Sequence, residues 1–193
     1  MTDGQIERAV EIFRAQLRKH AGELSSDAVQ QVFGQPELGP EWLAVLRKRV
    51  EEVSSMIVRH ATVNRSRTPQ DLLDATGRKQ YTDKNVLKSM PRGNGEEVDV
   101  YFFRLGRYVS EEEKAKEYAL RGLVPDPYAQ AQVNTDDPSF ADEHPNGTHW
   151  KDANNRWCFA TFDRWSGGRD VDVGRSDNGW DGRWWFGGVR KSR

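Results

Sequence analysis

The hydrophobic period changes along this chain, and that change limits the folds open to it. In the first sixty residues apolar side chains recur every three or four positions. Ile6, Val10, Phe13 and Leu17 form one stripe, and Leu43, Leu46, Val50, Val53 and Ile57 form another. That spacing predicts amphipathic helices. Thr2 followed by Gln5 has the form of a capping box, Pro40 suits a first helical turn, and Gly22 and Gly34 suit helix stops. A short helix carrying Val29, Val32 and Phe33 fits between the two long ones.

From residue 98 the period shortens. "VDVYFFRL" (98–105) is rich in β-branched and aromatic residues and predicts a strand. "SEEEKAKEYALRG" (110–122) predicts a helix with Ser110 as N-cap, Glu113 reaching back and Gly122 as stop. "LVPDPYAQAQVNTDDPSFADEHPNGT" predicts a long loop with one helical turn around Tyr128 to Val133. Beyond it, "RWCFATFDRW", "RDVDVGRS" and "RWWFGGVR" predict strands joined by Gly- and Asn-containing turns. The expected fold is α+β. It comprises a helical region at 1–62, a polar connector with short helices at 63–97, and a sheet domain at 98–193. The sheet is expected to be an antiparallel β-meander with one inserted helix.

Composition narrows the function classes. A chain of 193 residues can bury a core without disulfides, and its one cysteine, Cys158, rules out an internal disulfide framework. Lacking an apolar leader or a long apolar run, it is expected to be soluble and cytoplasmic, with no membrane contact. The net charge is −1, so a dedicated non-specific DNA binder is disfavoured. Even so, Arg59 to Arg92 holds 8 basic against 3 acidic residues. There Arg65, Arg67, Arg78 and Lys79 are candidate phosphate contacts.

Six of the seven tryptophans lie after residue 149. Several are adjacent to arginines, a pairing that can stack a base or sugar and hold a phosphate. Trp157, Arg164, Trp165, Trp180, Arg183 and Trp185 are therefore the candidate ligand-binding residues. Strand parity puts Cys158, Ala160 and Phe162 on one face and Trp157, Phe159, Thr161, Asp163 and Trp165 on the other. The adjacent Trp184 and Trp185 should point to opposite faces.

Asp142, Glu143, His144 and His149 have metal-ligand chemistry but no recognised metal spacing. Asp170, Asp172 and Asp177 lack the order of a calcium loop. No phosphate-binding loop, nucleophile elbow or CxxC motif is present. The leading expectation is a non-enzymatic binding protein with no cofactor and no metal. Its partner would be a protein or nucleoprotein complex, with nucleic acid touched through arginines and exposed rings. The alternatives are a carbohydrate or small-ligand binding sheet, and a metal-dependent hydrolase built on the 142–149 loop.

Overall fold

The computed structural model describes residues 2–176 and 178–191; the side chains at positions 47, 48 and 51–54, Val53 among them, lie outside the described residues. The chain divides into two units, residues 1–51 and 52–193.

The first unit is helical. It holds α1 (Asp3–Lys19), a 3-10 turn (Ala21–Glu23), α2 (Ser26–Phe33) and α3 (Leu38–Ser54), whose last residues run past its boundary. The capping box forms as expected. Gln5 N–H donates to Thr2 Oγ1 at 3.4 Å, and Thr2 N–H donates to Gln5 Oε1 at 2.8 Å. Phe13 and Trp42 meet at 4.3 Å between ring centroids. Yet among the described residues of this unit none is buried, and only His20, Val29 and Leu38 are even partly covered.

The second unit contains β1 (Ile57–Thr62), α4 (Pro69–Asp74), β2 (Lys79–Thr82), α5 (Lys84–Lys88), β3 (Glu97–Arg104), α6 (Glu111–Leu120) and β4 (Leu123–Pro125). It continues with α7 (Pro127–Asp136), α8 (Phe140–Glu143), β5 (Asn146–Lys151), β6 (Trp157–Trp165), β7 (Gly168–Arg175) and β8 (Trp185–Arg190). The strands form one sheet in the order β1-β3-β8-β5-β6-β7-β2, with β4 also pairing β8.

The α+β class holds, but the sheet is mixed rather than purely antiparallel. β5, β6 and β7 make the expected meander. β8 does not close it. It runs parallel to β5 and antiparallel to β3, in the middle of the sheet, while β2 takes the free edge of β7 in parallel. The physical reason lies in "WWFGGV". Trp185 and Val189 join the core on one face and Phe186 joins the other. A strand apolar on both faces belongs in a covered centre, whereas polar "KQYT" of β2 suits an edge.

The expected single inserted helix is also too few. The 123–148 stretch folds into α7 and α8 as well, with Asp126 capping α7 by accepting from Ala129 N–H at 2.9 Å. The 63–97 stretch supplies Leu72, Leu73, Val86 and Leu87 to the main core of this unit. Helices α4, α5, α7 and α8 cover the sheet face that carries Phe102, Cys158, Ala160, Phe162, Val171 and Val173. Helix α6 covers the opposite face, with Phe103, Trp180 and Phe186. The parity read from β6 is therefore that of the structure.

Two glycines let both helices approach the same point of β8. A Cβ on Gly187 would lie 2.6 Å from Gln130 Oε1 on α7 and 2.7 Å from the Phe102 ring. One on Gly188 would lie 2.8 Å from the Tyr118 ring on α6. Tyr118 also donates its hydroxyl to Gly187 O at 2.8 Å, which fixes α6 to the sheet centre.

Candidate functional site

Helix α6 is held at its start by a capping box, in which Ser110 Oγ accepts from Glu113 N–H at 3.2 Å and Glu113 accepts from Ser110 N–H at 2.9 Å. The helix then presents Glu111, Lys114 and Tyr118 at i, i+3 and i+7, one face of an α-helix. That face lies against the sheet. Glu111 is 5% exposed, Lys114 0% and, facing them from β5, His149 2%. Charged side chains this deep need partners, and the structure supplies them. Glu111 accepts from His149 Nδ1 at 2.7 Å and from Trp180 Nε1 at 2.7 Å. Lys114 Nζ lies 2.9 Å from Glu111 Oε2 as an ion pair, off the direction of a good hydrogen bond. It also sits 3.6 Å from the centroid of the Trp180 ring, a cation–π placement.

Burial and these partners set the charge states. Burial opposes ionisation of Glu111, but the hydrogen bond from His149 and the charge of Lys114 outweigh it and hold the carboxyl below its usual range. Burial pushes the Lys114 ammonium down to about 7, against the pull of Glu111. Burial, with Lys114 adding, pushes His149 down to about 4 despite Glu111. At neutral pH the imidazole is therefore uncharged. Its Nδ1 donates to an ionised carboxylate, which leaves Nε2 as the lone-pair nitrogen. The ring is sandwiched, 4.5 Å from Trp157 at 12° and 5.2 Å from Tyr118 at 25°. Trp157 is itself oriented by donating Nε1–H to Glu112 at 2.9 Å.

His149 also lines a cavity of about 380 Å³, together with Tyr118, Ala119, Val124, Trp157 and Lys191. Pushed down to about 4, the imidazole is held neutral and is a weak base at neutral pH.

The sequence-predicted ligand residues divide into three places. Trp157 and Trp180 belong to the site around Glu111. Trp165, 60% exposed, lies under the Arg183 guanidinium at 5.7 Å, and Arg183 also covers Trp184 at 5.1 Å. Arg164 sits one residue from Trp165 and pairs with Asp142 at 3.5 Å. Trp185 lies on the opposite sheet face, edge-on to His144 at 5.1 Å. So the two adjacent tryptophans do point to opposite faces, and both faces are covered by helices.

The four basic candidates are also dispersed in role. Arg65 pairs with the buried Asp126 at 2.7 Å and donates to the carbonyls of Arg92, Asn94 and Gly95. Arg78 is 5% exposed and donates to Asp163 O and Pro138 O. The Arg67 carbonyl accepts from Tyr128 and Arg92, and Lys79 stands exposed over the Tyr81 ring at 4.8 Å. In the 142–149 segment the metal-type side chains diverge. Asp142 is held by Arg169 at 2.7 Å, His144 packs on Phe140 and Trp185, and His149 turns to Glu111. Among the described residues no three of His, Cys, Asp and Glu are grouped to hold a metal ion. Asp177 lies outside the described residues.

Sequence reading missed Glu111, Lys114, Tyr118 and the role of His149. One signal existed: an i, i+3, i+7 stripe of Glu, Lys and Tyr on a helix whose neighbours offer no continuous apolar face. Comparison with family models, curated proteins and solved structures returns no match. Function must therefore be read from this chain's own geometry.

Proposed function

We propose that this chain is an interaction protein whose N-terminal helical unit docks on a protein partner. The observation that carries the reading is a set of amphipathic helices without a core. Ile6, Val10, Phe13 and Leu17 on α1 are 37–44% exposed; Val32 and Phe33 on α2 are 41% and 50%; Trp42, Leu43 and Leu46 on α3 are 39–51%. Helical stability in water comes mainly from packing an apolar face, and isolated helices of this length are marginal. An exposed apolar surface of this extent marks an interaction site.

Charge selects the partner's class. Residues 1–51 carry seven Lys+Arg against eight Asp+Glu, a net of −1. A phosphate backbone has nothing to gain from such a surface, whereas a protein with its own apolar helical face does. The nucleoprotein form of this reading draws on Trp165 and Arg183 in the second unit, because Arg65 and Arg78 spend their guanidiniums inside the fold and Arg164 turns to Asp142.

The test is quantitative capture from host lysate by the full chain and by a Phe13→Glu/Leu46→Glu variant. The same proteins should be recovered by the wild type and lost by the variant, while tryptophan-monitored melting of the second unit stays unchanged. Equal recovery by both chains sinks the reading. A gel shift with single-stranded oligonucleotide that weakens with salt and is abolished by Trp165→Ala/Arg183→Ala would support the nucleoprotein form.

A further inference from the structure

We infer that the docking surface of the helical unit receives a second copy of this chain, with the two α1 helices antiparallel across a two-fold axis. The inference rests on the docking surface proposed above and names its occupant.

Spacing comes first. Ile6, Val10, Phe13 and Leu17 are separated by four, three and four residues, so the stripe reads the same in both directions. Laid antiparallel about an axis between Glu11 and Ile12, it sets Ile6 against Leu17 of the second copy and Val10 against Phe13 of the second copy. The four side chains are still 37–44% exposed although Phe13 meets Trp42 within its own chain. Helices α1 and α3 have 17 residues each, about 25 Å in length. Two such helices from each copy make a four-helix bundle, a common way to enclose apolar stripes.

Charge then selects a second copy, and antiparallel over parallel. At about 100° per residue, one flank of the stripe carries Asp3, Glu7, Arg14 and Arg18, and the other carries Gln5, Ala9 and Gln16. The charged flank is ordered, acidic in its N-terminal half and basic in its C-terminal half. An antiparallel two-fold pairing sets like flank against like flank. Glu7 then falls between Arg14 and Arg18 of the second copy, and symmetry repeats this at the other end. A parallel pairing would set the charged flank against the neutral one and leave all four charges unmatched. All four are exposed, and among the described residues none has an ion-pair partner in its own chain. Arg8 and Glu11, on the far side of α1, pair with each other at 3.1 Å.

The test is sedimentation equilibrium of the full chain from about 1 to 500 µM. A dimer with a dissociation constant on the order of 10 µM is expected, because each stripe is already partly covered within its own chain. Dilute chain is then monomeric, with its helices open. Phe13→Glu should leave a monomer throughout. Glu7→Arg alone, and Arg14→Glu/Arg18→Glu alone, should each dimerise about tenfold more weakly. An equimolar mixture of those two chains should recover wild-type affinity as a heterodimer. All three positions are exposed, so the rescue keeps the test decisive if Phe13→Glu disturbs the helices themselves. Three results overturn the inference: a wild-type monomer at the highest concentration, undiminished dimerisation in Phe13→Glu, or a mixture that associates no better than its components. A monomer that still captures a different protein, with loss in Phe13→Glu/Leu46→Glu, would sink the second copy and leave the docking surface standing. A monomer that captures nothing would sink both.

Discussion

Replacing Glu111 with alanine should be among the most damaging single changes in the second unit. The carboxylate gathers two buried donors, His149 Nδ1 and Trp180 Nε1, each at 2.7 Å, and neutralises Lys114 at 2.9 Å. Each donor left unpaired in the interior costs about 1–3 kcal/mol. Removing one partner of a buried ion pair costs about 3–5 kcal/mol, part of which is the same desolvation counted again. Lys114 limits the second cost, because its ammonium is already pushed down to about 7 and can shed its proton. The net expectation is a loss of about 4 kcal/mol, or roughly 10–20 °C in melting temperature. Glu111→Gln keeps the volume and one acceptor, so it should lose about half as much. Tryptophan fluorescence during urea unfolding is a direct assay, since six of the seven tryptophans lie in residues 150–185. A loss below about 1 kcal/mol for Glu111→Ala would refute the reasoning, because it would mean that His149, Lys114 and Trp180 are satisfied by water.

Three further outcomes follow from the same geometry. Acid should weaken the fold through His149: its folded pKa, about 4, is below the ordinary 6.5, so between those values the unfolded chain binds a proton the folded one refuses. Glu111, also held low, loses its contribution in the same direction as pH falls. Urea midpoints from pH 7 to pH 4.5 should therefore fall more steeply for the wild type than for His149→Asn; parallel curves would contradict this. Gly188→Val should cost about 1–3 kcal/mol, because the new side chain meets the Tyr118 ring that pins α6, and an unchanged urea midpoint would count against that contact. Trp165→Ala should shift stability by less than about 0.5 kcal/mol, since the ring is 60% exposed, and a large loss would place it in a core.

What was legible in the sequence was local. The capping boxes at Thr2 and Ser110 and the face parity of β6 depend on residues within a few positions of one another, and all are present. The opposite orientation of Trp184 and Trp185 follows from the same two-residue period. What escaped was long-range. Alternation says that a strand is half-buried but not which strand lies beside it, so the central place of β8 and the parallel edge strand β2 could not be read. The Glu111 site joins positions 38 and 69 residues apart. Its members look like solvated charges until α6 is laid on the sheet. Arg65 and Arg78 looked like phosphate ligands for the same reason: a run of basic residues does not reveal the carbonyls that will claim it.

The central claim is that the helical unit is completed by a protein partner rather than by its own packing. Amide hydrogen exchange on the full chain, alone and in the captured complex, tests it most directly. Alone, α1, α2 and α3 should exchange within seconds to minutes while β3 and β8 stay protected for hours, and in the complex the helices should gain protection. Protection of α1 to α3 equal to that of β3 and β8 in the isolated monomer would contradict the account, because helices so protected already have their core.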